Sequence, residues 1–139
     1  MVLMAEEEKK SEKELREKLL AYRILDSRLK SLNQQREIVA SKILEIKTTI
    51  ASIEEVIKSN DVLFSLGSSA HVHGSIKDKK NVIVEIGAGI ALEKSVDGAK
   101  ATLEKRIREL ENVFSNLEKE IERTSSVLSE LELQLIGSS

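Results

Sequence analysis

Residues 61–94 read DVLFSLGSSAHVHGSIKDKKNVIVEIGAGIALEK, and this stretch differs from the sequence on either side of it. Short apolar or β-branched runs alternate here with turn residues, which is a pattern of strands rather than of a helix. The pattern predicts four strands, over residues 62–66, 70–76, 81–86 and 89–94. Gly67-Ser68-Ser69 and Gly87-Ala88-Gly89 would close two hairpins, because glycine supplies the positive φ that tight connections need.

The two hairpins form a predicted head, residues 61–94, that is too small to be stable alone. Four strands this short bury little apolar surface, and their outer edges expose unpaired backbone groups. The run Lys77-Asp78-Lys79-Lys80 between the second and third strands predicts a solvated turn. We therefore expect other subunits to complete the head, through its apolar residues Val62, Phe64, Leu66, Val72, Ile76, Val82, Val84, Ile86 and Ile90.

A helix over residues 11–60 is predicted before the head, after a charged leader over residues 1–10. Ser11 and Glu14 have the spacing of a capping box, which places the helix start near Ser11. From Leu25 onward, apolar residues recur at alternating steps of four and three with one charged interruption, Arg36, and the seam extends backwards through Tyr22, Lys18 and Leu15. This seam consists of Leu15, Lys18, Tyr22, Leu25, Leu29, Leu32, Arg36, Val39, Ile43, Ile46, Ile50, Ile53 and Ile57. A helix with such a seam needs a partner helix in water.

The partner is predicted in the same chain, as a second helix over residues 95–136 followed by a tail at 137–139. Ser95 is placed as its N-cap, and Asp97 lies near its positive end. Its seam consists of Leu103, Ile107, Leu110, Phe114, Leu117, Ile121, Thr124, Leu128, Leu131 and Leu135. Because the two seams have similar lengths, the fold class is a mostly helical α+β protein, in which a long antiparallel two-helix coiled coil joins a small head of two β-hairpins.

Composition sets the outer bounds of function. Of the 139 residues, 33% are charged and 2% aromatic, which suits extended helices better than a compact globule. The net charge of −2 gives no general electrostatic case for binding nucleic acid or an anionic membrane. The N-terminus has neither the basic start nor the apolar core of a signal peptide, and no run approaches membrane-spanning length. We expect a cytoplasmic protein.

No constellation of residues indicates catalysis, a metal site or a cofactor. His71 and His73 would face the same side of a strand, but no third ligand is near them and the chain has no cysteine. Gly87-Ala88-Gly89 lacks the residues that would complete a nucleotide-binding loop. Serines such as Ser68 and Ser69 have no activating base in a recognisable motif. We therefore expect no enzyme activity, no metal and no cofactor.

Two segments carry a resemblance to a known family. Residues 82–94, VIVEIGAGIALEK, lead into Asp97-Gly98-Ala99 and a heptad helix, and residues 66–74 read LGSSAHVHG. Together with the order helix, two hairpins, helix, these segments resemble the α-class subunit of prefoldin. The four-strand insert favours the α class over the β class, whose members have a single hairpin.

The resemblance implies an ATP-independent cytosolic molecular chaperone. Prefoldins are hexamers of two α and four β subunits, so the partners implied are a second α subunit and β-class subunits. Their hairpins join into an intersubunit β-barrel platform, and the tips of their coiled coils hold non-native proteins for delivery to a group II chaperonin. The alternative is a structural coiled-coil scaffold, or a prefoldin-like adaptor, that binds fixed partners.

The client-binding residues are expected at the tip of the coiled coil. Seam residues at its open end could expose their side chains or simply pack that end, and four are of this kind: Leu15, Tyr22, Leu131 and Leu135. Off-seam apolar residues should be exposed, and these are Leu19, Leu20, Leu133 and Ile136. Leu3 and Met4 would add to the patch. Ile24, Ile38 and Leu44 are also off the seam; either they widen the holding surface along the arm or exposed apolar residues here carry little meaning.

Overall fold

The computed structural model describes residues 2–137 and confirms the predicted fold class. Two long helices flank two small antiparallel hairpins. The elements, in chain order, are α1 (Val2–Lys58), β1 (Val62–Gly67), β2 (Ala70–Gly74), β3 (Asn81–Gly87), β4 (Ile90–Ser95) and α2 (Val96–Gly137). Of the predicted tail over residues 137–139, Gly137 is the last residue of α2, and Ser138 and Ser139 lie outside the described residues.

The chain divides into two compact units. The head unit runs from Ser41 to Glu111 and contains both hairpins with the adjoining parts of the helices. The arm unit combines the residues up to Ala40 with those from Asn112 onward, and its described residues, 2–40 and 112–137, are all helical.

The start of α1 differs from the prediction. The helix begins at Val2, so residues 2–10 of the expected leader are helical and Ser11 is not an N-cap. The physical reason is that Ala5, Glu6 to Glu8, Lys9 and Lys10 are strong helix formers with no glycine or proline among them. The Ser11 and Glu14 spacing is a helix-start signal only where the preceding residues disfavour helix.

The hairpins close as predicted, with small differences at their ends. β1 pairs with β2 from Val62↔Gly74 to Gly67↔Ala70, and β3 pairs with β4 from Asn81↔Ser95 to Gly87↔Ile90. Both registers shift just before the turn, and Ser69 and Ala88 adopt positive φ angles of 60° and 52°.

The second strand ends at Gly74, two residues earlier than predicted. At this point the ring of Phe64 lies against Gly74, where a Cβ atom would come within 2.6 Å of its Cε2 atom. Only glycine allows this close approach. Ile76 is therefore not on a strand face, and it lies half-buried in the linker between the hairpins.

The linker between the hairpins is an ordered turn. The Asp78 carboxylate accepts hydrogen bonds from the backbone N–H of Lys80 at 2.9 Å and of Asn81 at 3.2 Å, and from the Asn81 side chain at 3.2 Å. These hydrogen bonds lower the pKa of Asp78, because they favour its charged form. The bond from the Lys80 N–H has the largest effect. The predicted solvated turn is confirmed.

The start of α2 is confirmed as predicted. The Ser95 hydroxyl accepts a hydrogen bond of 3.1 Å from the Gly98 N–H, which satisfies one of the helix's unpaired donors. A Cβ atom on Gly98 would lie 3.0 Å from the Ser95 Oγ atom. The glycine that costs helix propensity thus leaves room for the cap.

The core of the head unit lies between the two helices. Ile46, Leu103 and Ile107 are buried together, with Ile43, Ile50, Ile53 and Leu110 packed against them. Ala99 is completely buried, and the Lys100 ammonium lies 3.1 Å from the Glu54 carboxylate across the helix pair. Late residues of α1 meet early residues of α2, so the pairing is antiparallel.

The helices of the arm unit pack through the same seam. Leu32, Thr124 and Leu128 are buried, and Arg28 donates to Glu120 at 3.4 Å beside them. The charged interruption, Arg36, is half-buried and donates to Asn33 at 3.1 Å. Every seam residue predicted from Lys18 to Ile57, and from Leu103 to Leu135, is buried or half-buried. The heptad pattern is therefore confirmed from Lys18 onward, while Leu15, the first residue of the predicted seam, is exposed.

Candidate functional site

The hairpins expose apolar side chains that their own chain does not cover. Among the residues predicted for the head, five are exposed, namely Phe64, Leu66, Val72, Ile86 and Ile90. Apolar side chains in contiguous patches on a small soluble unit mark surfaces for other proteins. These five are available for contact with another chain.

The other four predicted head residues lie against their own chain. Val84 is only 6% exposed, and it lines a groove with Ile46, Leu103 and Arg106 of the helices. Val62, Val82 and Ile76 are half-buried. Val84 is therefore covered by its own chain, because the inner face of β3 packs on the helix pair, and its role in joining subunits stays a prediction.

Three exposed residues were missed by sequence reasoning, namely Leu63, Ile83 and Leu92. Ile83 is 72% exposed, although it is adjacent to Val84 on β3. The sequence did contain a pattern that indicates exposed apolar residues on these strands. Val62-Leu63-Phe64 and Val82-Ile83-Val84 are unbroken apolar runs, which indicate strands covered on both faces rather than on one.

The strands also leave unpaired backbone edges. β1 pairs with β2 and β3 with β4, and within the described residues the two pairs form separate two-stranded sheets. A two-stranded ribbon is marginal by itself, and each free edge can accept a strand from another chain. Both the free edges and the exposed apolar residues therefore favour a partner chain that adds a β-strand to these hairpins.

One side chain ties the second hairpin to the helices. The Arg106 guanidinium of α2 donates to the Glu85 carbonyl of β3 at 2.6 Å, at the point where the β3 register shifts. A charged donor on a carbonyl makes a strong hydrogen bond. This contact and buried Val84 fix β3 on the head-unit helices.

The arm unit contains the residues predicted for client binding. Tyr22, Leu131 and Leu135 are half-buried on the seam, while Leu15 is 39% exposed. The off-seam residues Leu19, Leu20, Leu133 and Ile136 are all exposed, as are Leu3 and Met4. The seam residues thus mainly pack the helix pair, and the off-seam residues provide the accessible apolar surface.

Further exposed apolar residues lie away from these positions. Ile24, Ile38 and Leu44 are exposed on α1, and Val113 and Val127, which sequence reasoning did not single out, are exposed on α2. Ile38, Leu44 and Val113 have charged residues within one helical turn, and single exposed apolar residues of this kind are normal for a protein surface. Ile24, Ile38 and Leu44 serve below as control positions.

The histidines do not form a metal site with their neighbours. His73 Nδ1 lies 3.0 Å from the Asp61 carboxylate, and both side chains are largely exposed. Within residues 2–137, no three histidine, cysteine or acidic side chains come together in a way that could hold a metal ion. The described helices likewise contain no segment both long and apolar enough to cross a lipid bilayer.

Comparison with known proteins identifies the family. The family model described as "Prefoldin subunit" matches residues 25–135, which cover both hairpins and most of both helices. The chain belongs to the prefoldin family. The resemblance seen in the hairpin segments is confirmed.

Relatives of known class agree with this assignment. A prefoldin subunit alpha of Pyrococcus horikoshii is 32% identical over 71% of this chain and 70% of its own length. The prefoldin subunit alpha 1 of Thermococcus kodakarensis is 33% identical over 76% of this chain and 72% of its own. The subunit alpha of Methanococcoides burtonii is 32% identical, over 74% and 77% respectively. The chain is therefore a prefoldin chaperone subunit of the α class.

A solved structure supports the fold. A chain of the filamentous PFD from Methanocaldococcus jannaschii, determined by cryo-EM, superposes with a TM-score of 0.73. It is 20% identical in sequence, and the match covers 82% of this chain and 97% of that one. At this identity the likeness shows the fold alone.

Proposed function

We propose that this prefoldin subunit works in an ATP-independent hexameric chaperone with a second α subunit and four β-class subunits. It captures unfolded polypeptides with its coiled-coil tips and delivers them to a group II chaperonin. The observation that carries the proposal is the set of off-seam apolar residues in the arm unit. Leu19, Leu20 and Leu133 are exposed although the seam beside them is packed. Exposed leucines have no role in holding the two helices together, so they remain for other proteins.

The head supports the assembly part of the proposal. Unpaired strand edges accept strands from neighbours, and exposed Leu63, Phe64 and Ile83 supply apolar surface on the same hairpins. A barrel made from several such hairpins would remove these edges. The arm units of the assembled subunits then remain available to clients.

The test is aggregation of a chemically denatured protein on dilution, measured by light scattering without nucleotide. The subunit is assembled with a prefoldin β-class partner before the assay. The triple variant Leu19→Ser, Leu20→Ser, Leu133→Ser should protect several-fold less well than the natural chain, because client contact depends on apolar area removed from water. Circular dichroism checks that the helices persist.

The matched control is Ile24→Ser, Ile38→Ser, Leu44→Ser, which removes three comparably exposed aliphatic side chains elsewhere on α1. It should leave protection unchanged. Equal loss in both variants would show that client binding is distributed along α1. Undiminished protection by the leucine variant would refute capture at these residues, and binding of only one folded partner would favour the scaffold alternative.

A further inference from the structure

The first hairpin of the head unit leaves one of its faces uncovered. In the β1–β2 pair, Leu63 is opposite His73 and Ser65 is opposite His71. Residues directly opposite each other in an antiparallel pair lie on the same side of the sheet, as do alternate residues along a strand. These four side chains therefore share a face, which we call the imidazole face. All four are exposed, and Leu63 is 59% exposed.

The second hairpin has a face with the same layout and the opposite chemistry. In the β3–β4 pair, Ile83 is opposite Glu93 and Glu85 is opposite Ala91. We call this the carboxylate face. It lies on the other side of β3 from buried Val84, and its four residues are exposed. Each face thus combines one aliphatic side chain with two titratable ones, which are imidazoles on the first hairpin and carboxylates on the second.

The acidic side chains of the carboxylate face have no cationic partner in their own chain. Within residues 2–137, neither Glu85 nor Glu93 forms an ion pair. The Arg106 guanidinium approaches β3 here, but it donates to the backbone carbonyl of Glu85. The two carboxylates lie at diagonal positions of the strand pair, and like charges so placed repel each other. A donor or cation brought to this face would therefore stabilise both.

The imidazole face supplies donors of this kind. The His73 Nδ1 atom lies 3.0 Å from the Asp61 carboxylate, which only accepts hydrogen bonds, so Nδ1 carries the proton and Nε2 is left for another group. A second carboxylate can bind at Nε2 once the ring is protonated. His71 forms no ion pair within the described part of the chain, so Asp61 is the one charged group there that contacts either ring.

We propose that the imidazole face of one copy of this chain packs on the carboxylate face of a second copy. Leu63 and Ile83 would shield each other from water, and the two histidines would pair with the two glutamates. Both faces are exposed in the single chain, so they do not cover each other within it. Because the contact joins two different surfaces, every copy keeps one face free, and association continues beyond a dimer unless a ring closes.

This contact is separate from the proposed chaperone function. It needs neither a β-class subunit nor a client, and the chain alone is enough to test it. One short hairpin from each copy makes a small interface, so self-association should be weak and dependent on concentration. Its failure would leave client capture and assembly with β-class subunits standing, since both are measured on the mixed complex.

The test is sedimentation velocity of the full chain alone, over a series of concentrations at low ionic strength. The sedimentation coefficient should rise with concentration. The rise should be steeper at about pH 6 than at about pH 8, because histidine side chains gain charge over this range. Added salt should reduce it. A chain that stays monomeric at every concentration, or a rise that salt does not change, would overturn the proposal.

Two charge-reversal variants identify the faces. Glu85→Arg, Glu93→Arg makes the carboxylate face cationic, and His71→Glu, His73→Glu makes the imidazole face acidic. Each variant alone should self-associate about tenfold more weakly than the natural chain, because its two faces no longer have opposite charge. An equimolar mixture should associate again, since each variant supplies the face that the other requires. A mixture that stays dissociated would refute pairing of these two faces.

A third variant, Glu104→Arg, Glu118→Arg, makes the same change in net charge on exposed residues of α2. It should change self-association by less than about twofold, since its charges lie outside both faces. Weakening as large as that of the first variant would overturn the proposal, because net charge alone would then explain association. Circular dichroism checks that the helices persist in all three variants.

Discussion

Replacing Ile83 and Val84 with alanine, one at a time, separates the two roles of β3. The residues are adjacent on one strand, so both substitutions reduce strand propensity by a similar amount. They differ in environment, because Val84 is 6% exposed against the helices and Ile83 is 72% exposed. We expect Val84→Ala to affect folding of the chain and Ile83→Ala to affect assembly.

The magnitude follows from burial. Val84→Ala removes two buried methyl groups, at about 0.8 kcal/mol each, and leaves a cavity beside Leu103 and Ile46. The total loss of unfolding free energy should be about 2 kcal/mol. Ile83→Ala removes side-chain atoms that are already in water, so its cost to the isolated chain should stay below about 0.5 kcal/mol.

Two measurements check this. Urea unfolding of the dilute chain, followed by circular dichroism, gives the difference in stability, provided that the midpoint does not change with protein concentration. The mass of the complex with a β-class subunit, measured by light scattering, gives assembly, which Ile83→Asp should prevent. Equal destabilisation by the two alanine variants, or normal assembly of Ile83→Asp, would refute the division of β3 into an inner and an outer face.

Three further predictions concern the head unit. Ser95→Ala should cost about 1 kcal/mol of unfolding free energy, because it removes the N-cap. Gly98→Ala should stabilise the Ser95→Ala variant more than the natural chain, because the added Cβ atom then no longer meets the cap hydroxyl. Equal effects of Gly98→Ala in both chains, measured by urea unfolding, would contradict this. A double-mutant cycle on Glu54→Gln and Lys100→Met should give a coupling of about 0.5 kcal/mol that decreases in high salt, since both side chains remain partly exposed; a salt-independent coupling would rule out an ionic origin. The lowered pKa of Asp78 means that its charged form stabilises the fold above the ordinary value of 3.8 and that this contribution is lost as pH falls through the lowered pKa. Urea midpoints of Asp78→Asn and the natural chain should therefore differ near neutral pH and converge in strong acid, and a difference that persists in acid would be inconsistent with that sign.

The helices could be predicted from the sequence because one physical requirement governs them. The apolar seam of each helix must pack against the seam of the other, so the heptad spacing alone identified the covered residues, including half-buried Arg36. The N-cap at Ser95 was predictable for a similar reason, since a hydroxyl before a helix has a specific donor to bind. The start of α1 was not, because a capping-box spacing cannot outweigh a preceding run of good helix formers.

The faces of the head could be predicted only in part. Alternation places Val82 and Val84 on one side of β3, but it does not say whether that side meets a neighbour or the chain's own helices. That choice depends on how the hairpin lies on Ile46 and Leu103, a tertiary contact remote in sequence. Ile76 was assigned to a strand, but Gly74 pairs with Val62, the first residue of β1, so the β1–β2 pairing ends before Ile76.

Tyr22 is the one tyrosine of a chain without tryptophan, and it lies half-buried on the seam of the arm unit. Its ultraviolet emission is therefore a built-in reporter of that unit, free of background from the hairpins. Loosening of the helix pair near this ring would change the signal while head structure and bulk helicity stayed constant. Ligands that act on the arm can thus be distinguished from those that act on the head without attaching a dye.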